Sequence, residues 1–136
     1  SREVRAAAWQ RLAAIRMDQG DTTGAWQAFQ EAQRADPDDP NHALLEVTLL
    51  CARNEWDRAQ QRAGFWLARL RRLRDPELEP LLELLTKVRQ DPRRALTDVE
   101  VDADGTGGLA SLRRSDRGAT GTALSCRADA GRGGAR

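Results

Sequence analysis

The stretch QGDTTGAWQAFQEAQRADPDDP, Gln19 to Pro40, decides the fold. Gly20 is a helix-terminating residue, free to take the left-handed conformation that closes a helix. Asp21, Thr22 and Thr23 follow with oxygens suited to capping the next one. Ala25, Ala28, Phe29 and Ala32 then fall at i, i+3, i+4 and i+7, the spacing of a helix buried along one stripe. Asp36-Pro37 stops it, because proline lacks an N–H and pushes the residue before it out of helix. A helix is therefore predicted from Thr22 to Ala35, and it carries no catalytic group.

The same signals place its neighbours. Trp9, Leu12, Ala13 and Arg16 give a first helix, about Arg2 to Gln19. Pro40, tolerated in a first turn, opens a third helix, about Asn41 to Arg53, and Asn54 then stands where Gly20 stood. A fourth runs from Trp56 to Leu73 and stops at Asp75-Pro76. A fifth spans Leu78 to Arg89, and a short sixth runs from Pro92 to Val99. The Ala, Leu, Gln, Arg and Glu content of this region suits helix throughout. Residues 101–136 turn to Gly, Ala, Arg, Ser and Thr. They bury too little apolar surface to offset their ordering entropy, so a disordered tail is predicted. An out-of-frame read of GC-rich DNA gives a similar composition, and the coding DNA distinguishes the two.

The elements repeat. Gly20-Asp21…Ala25 aligns with Asn54-Glu55…Ala59 at a shift of 34, and Gln90-Asp91…Ala95 follows at a further 36. The expected architecture is all-α, with tandem antiparallel helix–turn–helix units over residues 1–100, about 6–39, 40–75 and 76–100.

Trp9, Leu12, Ala13, Gly20, Asp21, Ala25, Phe29, Ala32 and Asp36-Pro37 together resemble a complete tetratricopeptide repeat. Arg16 departs from it, standing where the family usually has an aromatic residue. The second unit resembles the family through Val47 and the run Asn54–Ala59. It departs at Ala43 for the usual Trp, Glu46 for Leu and Ala63 for Phe. The third unit shares Ala95 and the run DPRRAL (Asp91–Leu96). The resemblance implies a right-handed α-solenoid in which each unit buries its apolar face on the next. Two to three units, beginning at Ser1, suit a piece of a longer array.

The family typically grips peptides or helices in the groove lined by the first helix of each unit. That resemblance makes Gln10, Arg11, Ala14, Met17 and Asp18 candidates on the first helix. Asn41, Leu44, Leu45, Thr48 and Cys51 are candidates on the third, with core packing the competing role for Leu44, Leu45 and Cys51. Ala14 and Thr48 occupy places where a carboxylate-gripping member needs Asn or a base, so that variant is disfavoured. Trp56 and Trp66 are either interface anchors or inter-unit core. Arg69–Arg74, RLRRLR, reads as a solvated helix end.

Totals exclude much else. With a net charge of +1, nothing favours nucleic acid or a membrane surface as the main partner. A weak RNA-binding reading rests on the Arg-rich runs, GRGGAR included. Cys51, Cys126 and the lone His42 give no disulfide framework and no metal spacing, and a reducing, cytoplasmic setting is the reading they favour. No apolar run approaches ~20 residues, and no signal segment precedes the helices. The sequence has no nucleophile elbow or phosphate loop, and DADGTGG (Asp102–Gly108) lacks the closing Glu of a calcium loop. The function expected is a non-enzymatic scaffold binding a protein or peptide partner, without cofactor, metal or small-molecule substrate. The alternative is the recruiting or regulatory arm of a larger enzyme, and self-association through exposed unit ends is a further expectation.

Overall fold

The computed structural model describes residues 1–96. The predicted tail, and the sixth helix beyond residue 96, lie outside the described residues. Among the described residues there are six α-helices and no strand: α1 (Arg2–Asp18), α2 (Thr22–Ala35), α3 (Asn41–Ala52), α4 (Trp56–Arg71), α5 (Glu79–Gln90) and α6 (Pro92–Ala95).

The turns show why the chain folds this way. At the α1–α2 turn, Gly20 N–H donates to the Met17 carbonyl and Asp21 N–H to the Arg16 carbonyl, each at 2.9 Å. Gly20 sits at φ +80°. This is a Schellman closure, which satisfies carbonyls that a helix end would otherwise leave open. It recurs 34 residues later. Asn54 N–H donates to Cys51 and Glu55 N–H to Leu50, again at 2.9 Å, with Asn54 at φ +59°. Asparagine is the residue after glycine that best tolerates this conformation. The third turn differs: Asp91 is extended, and its carboxylate accepts from Arg94 N–H at 3.4 Å. Proline follows both Asp36 and Asp91, and both are extended.

Several helix boundaries shift by one or two residues from their predicted places, and two regions show why. Helix α4 ends at Arg71 rather than Leu73, because Leu73 and Arg74 close tighter turns onto Leu70 and Arg71 and Arg74 crosses to φ +52°. The fifth helix is preceded by a 3-10 turn, Pro76–Leu78, in which the Asp75 carboxylate accepts from Glu77 N–H at 3.0 Å. Pro40 is the N-cap residue of α3 and makes no side-chain cap, so Asp39 supplies the acceptors. Its carboxylate accepts from Asn41 N–H at 2.9 Å and its carbonyl from His42 N–H at 3.1 Å.

Each helix packs on the next in sequence. In addition α1 touches α3, α3 touches α5 and α4 touches α6. Helix α3 is thus enclosed, and every residue from His42 to Cys51 is buried. Most of these residues are apolar, as an enclosed helix requires, but His42, Glu46 and Thr48 are buried with them. Two clusters form the core. One joins Ala13, Met17, Ala25, Phe29, Leu45 and Leu49 across α1, α2 and α3. The larger joins Leu44, Val47, Leu50, Trp66, Leu67, Leu81, Leu85 and Leu96 across α3 to α6. Trp26 packs against both. Small residues at Ala13, Ala25, Ala28 and Ala59, each at most 1% exposed, permit the close helix approach.

Candidate functional site

The residues selected from the sequence divide sharply by environment. Gln10 is buried and committed internally. Its amide donates to Asp39 Oδ2 at 3.0 Å and faces His42 Nδ1 at 3.2 Å. His42 Nε2 lies 2.6 Å from the Asp36 carbonyl. An amide NH2 only donates and a carbonyl only accepts, so the network assigns His42 the neutral Nε2–H tautomer. The Phe29 ring meets the imidazole edge-on, centroids 5.9 Å apart. Gln10 therefore ties the 36–40 loop to α1 and has no amide proton positioned for a partner. These contacts give Gln10, a groove candidate from the resemblance, a structural role between α1 and the loop.

Ala14 and Met17 are buried, as are Leu44, Leu45 and Cys51. Leu44 and Cys51 belong to the larger cluster and Leu45 to the smaller, so the face of α3 between them runs along the seam of the core. Asn41 and Thr48 lie on that face, seven residues apart. Asn41 is half-buried and Thr48 only 2% exposed, yet Asn41 Oδ1 and Thr48 Oγ1 have no hydrogen-bond partner. A buried polar atom left so costs about 1–3 kcal/mol, which makes two on one helix face a feature to be explained. Arg11 and Asp18 are exposed on α1.

Trp66 is buried, and its indole Nε1–H donates to Glu46 Oε1 at 2.8 Å. Arg62 Nε donates to Glu46 Oε2 at 2.9 Å. The Glu46 carboxylate is thus buried but doubly held, and Trp66 is core rather than an exposed anchor. Trp56 is half-buried, with the Arg93 guanidinium 4.8 Å from its ring centroid. Arg16, another departure from the resemblance, donates from Nη1 to the Gly24 carbonyl at 3.0 Å, bracing the first turn of α2. A polar residue where the pattern calls for an apolar or aromatic one was the available signal for both contacts.

Among the described residues no group of three His, Cys, Asp or Glu is placed to hold a metal, and no helix is long and apolar enough to cross a membrane. Comparison of the chain with protein-family models, with curated proteins and with solved structures returns no match.

Proposed function

We propose that the chain is a helical-repeat module of tetratricopeptide type that binds a peptide or helix of a protein partner along the α1–α3 face. The repeat reading is supported by the Schellman closure duplicated at a shift of 34 and by the contacts of α1 with α3 and α3 with α5. Stacked hairpins bring the first helices of successive units side by side in this way. The observation that carries the binding reading is the pair of unpartnered atoms, Asn41 Oδ1 and Thr48 Oγ1. Both atoms are covered in the unbound fold, so a small separation of the helices flanking α3 lets a partner segment donate to Asn41 Oδ1 and reach Thr48. Arg11, exposed on α1, is the cation this reading assigns to the partner. The buried remainder, Gln10, Ala14, Met17 and Leu44, fixes the spacing of α1 and α3 and makes no direct contact.

Panning a random peptide library on the full chain tests this. Selected peptides bind the native chain and lose about tenfold or more in affinity to an Arg11→Ala, Asn41→Ala double variant, a loss of about 1.4 kcal/mol. Failure to select any peptide, or equal binding by the variant, overturns the assignment.

A further inference from the structure

The outer corner where α4 gives way to α5 carries a second surface. A groove of about 520 Å3 runs there, floored by Leu70, Pro76 and Leu82. Arg71 and Arg74 line it on the α4 side, Glu79 and Glu83 on the α5 side, and Asp75 in the turn between them. All five are exposed, and none of them makes an ion pair among the described residues. Other surface charges divide: Arg69 pairs with Asp38 and Arg34 with Glu31, while Arg72, Glu77 and Lys87 are exposed with no ion pair among the described residues. Beside the groove Leu73 is 57% exposed, held out by the turn in which Arg74 takes φ +52°. A leucine left in water forfeits its burial free energy, a cost Leu73 shares with the exposed Val4 and Phe65.

The occupant follows from the charge pattern. A ligand of one sign, such as a nucleic acid or a polyacidic peptide, gains on one wall and is repelled by the other. The groove needs an anion opposite Arg71 and Arg74, a cation opposite Glu79 and Glu83, and an apolar group between. A second copy of the same corner, related by a two-fold axis, presents all three. A two-fold interface uses one patch twice, and a patch holding both signs and both knob and hollow is complementary to itself. We infer that this chain forms a two-fold dimer through the α4–α5 corner, Leu73 of each copy entering the other's groove and the arginine wall of each facing the glutamate wall of its partner.

The patch is small beside the roughly 1,200–2,000 Å2 of a stable interface, so the dimer is weak, with Kd on the order of 10–100 µM, and loosens as salt screens the pairs. The surface shares no residue with the α1–α3 face, so this inference and the peptide-binding reading stand or fall separately.

Sedimentation equilibrium of the full chain across about 5–500 µM gives the test, with circular dichroism confirming that each variant is folded. The native chain shifts from monomer to dimer mass over that range and dissociates when NaCl rises from ~0.05 to ~0.5 M. An Arg71→Glu, Arg74→Glu variant and a Glu79→Arg, Glu83→Arg variant are each monomeric alone, through like-charge repulsion. Mixed in equal amounts they form a dimer again. Leu73→Ser weakens the native dimer about tenfold while leaving the charges unchanged. A native chain that stays monomeric to 500 µM, a dimer that survives either charge reversal, or a mixture that stays monomeric overturns the inference.

Discussion

The Glu46–Trp66–Arg62 cluster offers the most discriminating test of the core. The Glu46 side chain is 6% exposed and that of Arg62 31%, so the carboxylate is nearly dry while its cation is partly wet. Trp66→Phe removes the indole donor at 2.8 Å from Glu46 Oε1. A hydrogen bond to a charged group contributes about 1.5–3 kcal/mol, and the lost ring volume adds roughly 1 kcal/mol, so the variant loses about 2.5–4 kcal/mol. Glu46→Leu restores the residue type usual for the repeat and relieves the desolvation of a buried charge. It also orphans the Trp66 N–H, at about 1–3 kcal/mol, while Arg62 turns to water. Its net cost is about 1–2 kcal/mol. The double variant has neither the buried charge nor the orphaned donor. Its destabilisation therefore falls short of the sum of the two singles by about 1.5–3 kcal/mol. Urea titrations of the four proteins, followed by circular dichroism, measure this coupling. Additivity within about 0.5 kcal/mol would refute the view that Trp66 and Glu46 stabilise one another.

Further outcomes follow from the same packing. Gly20→Ala costs about 1–2 kcal/mol from the left-handed backbone alone, since a Cβ there meets nothing within 4 Å, whereas Asn54→Gly is neutral or stabilising; both are read by thermal melts. His42→Ala removes a fully buried ring with bonds to Gln10 and Asp36 and costs about 2–4 kcal/mol, with the 36–40 loop gaining hydrogen-exchange rate first. Phe29→Ala, emptying the centre of the smaller cluster, costs about 3–5 kcal/mol in urea titration.

The helices were legible because their ends are written locally. Gly20 and Asn54 prescribe a positive φ, and Asp-Pro pairs prescribe an extended stop, so neither depends on distant residues. The fate of the candidate contacts was not legible, because it is set by how closely α1 and α3 approach. Gln10 has the same sequence neighbourhood whether it faces solvent or His42, 32 residues away. Thr48 looks like a surface threonine until the flanking helices close on it. Glu46 was marked as a departure from the repeat pattern, but its partners Arg62 and Trp66 lie a full helix further on. The α4–α5 groove escaped notice because Arg71 and Arg74 read as an ordinary basic helix end, and Glu79 and Glu83 belong to the next helix.

The claim that a partner lies along the α1–α3 face is tested most directly by amide shift mapping. The 15N-labelled full chain is titrated with a peptide selected on it. The prediction is that the largest shifts fall on Arg11 and on the α3 face from Asn41 to Thr48, with the Asn41 side-chain amide among them. Shifts confined to the α4–α5 corner, or spread without focus over the surface, would contradict it.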